Sequence, residues 1–303
     1  MISRIKAGIL LLLLTVPGLI CSLTIIWIMV WSRRLRKMVA YRILFQLSIA
    51  ECILLVGHVV SATMPLTNST YGYWFQKVLS AVLQSFYICV LLLNAVLAFN
   101  RLYINTVAGA HSSDKTYKVI ALACYVFVSV EFLCYLTPYC SMDFSLKNFD
   151  WVYDAGKDTM VMSYIVEQEK VVALGAILFE LACYIGIFAI ITKRRSAVVT
   201  SISTPYNPEY RILLTSLIAF VYQVVMIVPF HFGHILFPDA ERIHLLNAAT
   251  WAFFPSLQQI SILTLNSEFR KRFLRMIYAR KELTFSAHVS SIPVVRRRNH
   301  QLT

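Results

Sequence analysis

The sequence predicts an all-helical membrane protein: a seven-transmembrane helix bundle with a short amphipathic eighth helix after it. Three observations predict this. Seven separate stretches are long and apolar enough to cross a hydrocarbon core about 30 Å thick, which takes roughly 20 residues of helix. The 303 residues are 58% hydrophobic and 14% charged, a balance that fits a polytopic membrane protein rather than a water-soluble core. The charges also sit between the apolar stretches instead of breaking them up.

The predicted spans are 7–31, 41–63, 75–99, 119–139, 171–192, 212–235 and 244–265. Span 1 follows Arg4 and Lys6, a start that resembles a signal peptide. Its apolar run continues past Pro17 and Gly18 to Trp31 and stops at Arg33, Arg34, Arg36 and Lys37. That length suits a membrane span better than a cleaved segment. Span 2 carries Glu51 and His58, seven residues apart and therefore on one helix face. Span 3 ends at Asn100-Arg101-Leu102. Span 4 is entered past Lys115 and Lys118 and contains Glu131, and span 5 contains Glu180 and stops at Lys193-Arg194-Arg195. Span 6 contains Pro229, which breaks the hydrogen-bond ladder and allows a bend, with His231 and His234 near its far end. After span 7, residues 266–280 place Phe269, Phe273, Met276, Ile277 and Tyr278 on one half of a helix and basic residues on the other. That pattern suits a helix lying on a membrane surface. Residues 1–280 thus form one membrane domain, and 281–303 read as a basic, disordered cytoplasmic tail.

The net charge of +13 raises a nucleic-acid partner, but its distribution argues against one. Twenty of the 28 basic residues fall on one side of the predicted bundle and seven on the other, with Arg42 at a boundary. The positive-inside rule places the N-terminus outside and the C-terminus in the cytoplasm, with the basic face against the anionic lipids of the bilayer. The sequon Asn68-Ser69-Thr70 falls in a loop predicted to be outside, so Asn68 is a candidate glycosylation site. The outer loop 140–170 is acidic and aromatic, and two readings stand: a lid over a ligand pocket, or a solvated connector. The seven cysteines form no metal or redox spacing. No phosphate loop, zinc helix or intramembrane aspartate pair is present, so neither enzyme chemistry nor a cofactor is expected.

Glu51, Glu131 and Glu180 lie inside spans, where a charge is costly and usually faces the bundle interior. Each also has a simpler reading as a neutral, hydrogen-bonded acid. Helical position and polarity mark Gln84, Phe86, Tyr87, Glu180, Tyr184, Tyr222, His231 and Trp251 as candidates for lining a pocket.

Leu47-Ser48-Ile49-Ala50-Glu51 resembles the Leu-x-x-Ala-Asp pattern in span 2 of the rhodopsin-like receptors, and Asn100-Arg101-Leu102 resembles their Asp-Arg-Tyr motif. Residues 266–270 are similar to the start of the family's eighth helix. Span 6 keeps only Pro229 of Cys-Trp-x-Pro, span 7 lacks Asn-Pro-x-x-Tyr, and no cysteine tops span 3, which leaves Cys140 without the usual partner. These departures resemble the nematode serpentine chemoreceptors, class T first and class X next. The resemblance implies a plasma-membrane receptor of sensory cells, on cilia for instance. It would bind an external small molecule or odorant and activate a heterotrimeric G protein. Arg101, Asn100, Leu102, Glu51 and Pro229 would then form the activation switch. Leu83 stands where amine receptors carry an aspartate, which disfavours a biogenic amine. The competing function is a seven-span small-solute transporter, but no internal repeat of the kind many transporters carry is found.

Overall fold

The computed structural model describes residues 3–106, 114–153, 159–197, 208–236 and 240–276. Among them are seven helices of 23 to 38 residues: α1 (Arg4–Trp31), α3 (Val39–Thr67), α4 (Tyr73–Thr106), α5 (Asp114–Leu136), α6 (Met160–Ala197), α7 (Pro208–Leu236) and α8 (Ala240–Leu265). A single turn, α2 (Arg33–Arg36), joins α1 to α3. Residues 267–276 are helical again after Asn266. The tail 281–303 lies outside the described residues.

Five of the helices, α1, α3, α4, α5 and α6, are long and apolar enough to cross a membrane. In α7 the apolar stretch within the described residues is Leu214–Val228. In α8 the run is interrupted by Ser256, Gln258, Gln259 and Ser261, all buried. Its polarity therefore points into the bundle. The apolar residues do the opposite. Leu13, Val119, Leu133, Val171, Leu178 and Phe188 are each more than 60% exposed. Large side chains outside and amides inside is the arrangement expected when the surrounding solvent is hydrocarbon.

The helices outrun the predicted spans because an apolar window marks only the hydrocarbon slab. The α6 helix has 38 residues, about 57 Å at 1.5 Å per residue. It begins at Met160 rather than near 171, so Glu167 and Glu169, read from sequence as loop acids, are helical.

The α4 helix is the axis of the bundle, packing on α3, α5 and α6, while α1 packs on α3 and α8, and α7 on α8. Small residues permit the closest approaches. A Cβ added to Gly18 of α1 would lie 2.4 Å from the Ser256 Cα of α8, closer than atoms can pack. Polar bonds cross the same interfaces. Ser22 Oγ donates to the Ser48 carbonyl at 2.9 Å, Tyr117 donates to Gln46, and Gln168 donates to Glu131. Each bond of this kind contributes about 0.6 kcal/mol within a membrane bundle.

The segment after α5 departs from the all-helical expectation. It forms an antiparallel hairpin of β1 (Met142–Ser145) and β2 (Asp150–Tyr153), with Phe144 opposite Trp151. Those two rings pack edge to face at 5.4 Å and are buried. The hairpin rests on α4 and α8. Trp151 Nε1 donates to Ser61 Oγ at 3.1 Å, and the Phe144 N–H donates to Gln76 at 3.0 Å. No disulfide holds it, since Cys140 is a buried free thiol. Lys77, only 2% exposed, takes over the fastening by donating to the carbonyls of Thr137 and Cys140. Of the two loop readings, the solvated connector does not describe these residues.

Candidate functional site

At the hairpin end, side chains of four helices line a narrow cavity of about 10 Å³, room for about one water. The central helix α4 supplies Gln84 and Tyr87, three residues apart and so on one face. Helix α7 adds Met226 and Phe230, and α8 adds Asn247, Thr250 and Trp251 at matching helical spacing. Helix α6 adds Glu169, 1% exposed.

The polar groups in this wall are incompletely paired. One Glu169 oxygen accepts from the Tyr153 hydroxyl of β2, which ties the hairpin to the cavity. The other oxygen, Oε1, accepts no hydrogen bond, and neither does Asn247 Oδ1. The Gln84 amide lies beside the Glu169 carboxyl, but its Nε2 completes no hydrogen bond. Trp251 makes edge-on contacts with His58 at 5.1 Å and with Tyr87, its neighbour in the wall, at 6.1 Å. In β2, burial pushes the Asp150 carboxyl above its ordinary value of 3.8, and His244 Nδ1, 3.4 Å away, opposes that shift.

Midway along the bundle is a second polar layer. Gln259 of α8 donates to Glu51 of α3. Next to it in sequence, Gln258 exchanges two hydrogen bonds with Asn94 of α4, at 2.7 and 3.3 Å. Glu51 and His58 thus share one face, as their spacing implied, and that face turns to α8. Glu180 is satisfied elsewhere, 3.4 Å from the Gln223 amide of α7.

The opposite end carries Arg33, Arg34, Arg36 and Arg101. Arg101 lies in electrostatic range of Tyr41 on α3 and Tyr184 on α6. Asn100 is buried, and Leu102 packs against Gly186 of α6. The Tyr41 and Phe269 rings pack tilted at 5.7 Å, which docks residues 267–276 onto this end. A groove of about 130 Å³ between α3, α4 and α5 is lined by Ile43, Val96, Phe99 and Ile120 together with the polar groups of Asn100, Tyr103, Thr116 and Tyr117.

The cavity contains Gln84, Tyr87 and Trp251 of the residues proposed from sequence. Phe86 instead packs against the apolar core, and Tyr184 packs against Phe220. Tyr222 donates to the Thr250 carbonyl at 3.0 Å and stacks on Phe254. The side chains of His231 and Pro229 lie outside the described residues, although α7 runs through both positions. Sequence reasoning missed Glu169, Met226, Phe230, Asn247 and Thr250. For Glu169 a signal existed: it stands at the edge of an apolar run with helical continuity.

No family model matches this chain, and no curated protein does either. Among solved structures, the crystal structure of squid rhodopsin superposes with a TM-score of 0.72. The match covers 88% of this chain and 83% of that one at 12% sequence identity.

The chain has a rhodopsin-like fold. This likeness runs through nearly the whole bundle while the side chains are almost entirely different. Fold is therefore what the two share, and the chemistry of this cavity must be argued from its own residues. Within the rhodopsin-like fold, the Glu169 cavity and Arg101 stand at opposite ends of the same central packing of α4 and α6.

Proposed function

We propose that this protein is a G-protein-coupled chemosensory receptor of the plasma membrane, resembling the nematode serpentine receptors of class T or class X. The rhodopsin-like arrangement over 88% of the chain carries this reading. The seven helices are seven spans, and residues 267–276 are an amphipathic eighth helix on the cytoplasmic leaflet. The surplus of basic residues at the Arg101 end makes that end cytoplasmic, which puts the hairpin, the cavity and a glycosylated Asn68 outside.

A small external molecule entering the cavity touches α4, α6, α7 and α8 together. It shifts the bundle between two packings by no more than its difference in affinity for them. In the active packing α7 swings at Pro229, and Arg101, with Asn100 and Leu102 beside it, meets the G protein. Glu51 and the Gln259 amide hold the α3–α8 contact through which the two ends communicate.

The test is heterologous expression with a G-protein readout and an odorant panel. A response lost in Arg101→Ala at unchanged surface expression supports the receptor. Solute uptake without any G protein would replace it with a transporter.

A further inference from the structure

The groove between α3, α4 and α5 changes character along its length. Its three walls reach the Arg101 end together: α3 begins there at Val39, α4 ends there at Thr106 and α5 begins there at Asp114. The lining residues farthest from those helix ends, Val96, Phe99 and Ile120, are apolar. Those nearest the ends, Tyr103, Thr116 and Tyr117, are polar, and Ile43 and Asn100 lie between. Val96 and Tyr103 are seven residues apart, about 10 Å along the helix. Phe99 and Tyr103 are 40% and 37% exposed, so the groove opens to the surroundings of the bundle. Basic residues stand at its polar end. Arg42 of α3 holds its guanidinium 5.6 Å from the centre of the Tyr117 ring. Lys115 and Lys118 of α5, both exposed, flank Thr116 and Tyr117, with Asp114 as the acid of the same turn.

We propose that this groove holds one acyl chain of an anionic phospholipid, with the headgroup against Arg42, Lys115 and Lys118. An apolar stretch that gives way to hydroxyls and then to cations matches such a lipid from chain to headgroup. The volume of about 130 Å³ is close to that of a cavity of about 150 Å³ that accepts benzene. It therefore takes a stretch of one flexible chain, whereas the rigid rings of a sterol overfill it. Basic pockets between helices at a membrane surface select anionic headgroups, by about 5-fold for each lysine or arginine. The inference deepens the receptor reading and rests on it for the leaflet, the cytoplasmic one. Asn100 lines the groove next to Arg101, so the lipid lies against the residues that meet the G protein in that reading.

The experiment uses the full chain in lipid nanodiscs that carry a trace of phosphatidylserine or of phosphatidylcholine, each with the same photoreactive diazirine in one chain. Labelled peptides are mapped by mass spectrometry. The phosphatidylserine probe is expected to label residues 96–103 and 116–120 well above the phosphatidylcholine probe. Arg42→Gln should cut that excess about 5-fold, and Lys118→Gln should do the same if Arg42→Gln fails to fold. Ile120→Trp, or Thr116→Trp if that variant fails to fold, fills the groove and should abolish labelling there. Arg275→Gln, on the helix after Asn266, should leave it unchanged. Equal labelling by the two probes, an excess that survives the charge substitutions, or labelling that survives the filled groove would overturn the proposal. So would full protection by cholesterol, which would assign the groove to a sterol. G-protein nucleotide exchange with the odorant panel is measured in parallel. Selective labelling without exchange removes the receptor reading and keeps the lipid site; exchange without selective labelling does the reverse.

Discussion

The Nζ of Lys77 donates to the Cys140 carbonyl oxygen at 3.0 Å, and to that of Thr137 at 2.6 Å. A buried ammonium on α4 thus holds the start of the hairpin segment and caps the end of α5. The hairpin in turn supplies Tyr153 to Glu169, so one hairpin is bonded both to Lys77 at its start and to the acid of the cavity.

Replacing Lys77 with Met should strand two buried carbonyls. The expected loss is about 1–3 kcal/mol of stability, read as a lower unfolding temperature in detergent. An unchanged unfolding temperature would show that the hairpin is held by its apolar contacts alone.

The Glu51–Gln259 pair should behave as a coupled unit. Glu51→Leu alone strands the Gln259 amide, and Gln259→Leu alone strands the acid. The double substitution removes both needs, so it should cost less than the sum of the singles. The coupling is expected at about 0.6–1.7 kcal/mol, the range seen between membrane helices. Strict additivity would mean that the two side chains do not interact.

Gly18→Ala should destabilise the bundle, because the new Cβ meets the Ser256 backbone at 2.4 Å and a backbone cannot rotate away. Overpacking of this kind costs about 1–3 kcal/mol. Adding Ser256→Gly clears the Ser256 Oγ and Cβ but not its Cα, so it should restore only part of the loss. Size-exclusion profiles and unfolding temperatures check both variants.

Asp150 gives a pH dependence. Burial holds its carboxyl above 3.8 in the folded protein, with His244 and the Trp151 N–H opposing. A raised acid contributes stability that is complete below its unfolded value and is lost as pH rises through the folded one. Wild-type stability relative to Asp150→Asn should therefore fall as pH rises from about 4. A difference that is flat in pH, or that grows, would show the carboxyl to be stabilised as the anion.

The amino-acid sequence by itself determined the helices, because an apolar run of about 20 residues is a local property that lipid reads directly. It also determined which faces turn inward. Glu51 and His58 share a face as a seven-residue spacing requires, and Gln84 and Tyr87 share a wall as a three-residue spacing requires. Partnership was decided only by the tertiary structure. Asn94 meets Gln258 across 164 positions, and no local pattern announces that pair. Glu169 was hidden for the same reason. Hydropathy treats a carboxylate at the edge of an apolar run as a loop residue, whereas the packing of α6 against α4 buries it in a cavity. The hairpin was hidden too, since its strands are four residues each and owe their order to the surfaces of α4 and α8. Solvent chose the elements one segment at a time, and close packing between distant segments chose the site.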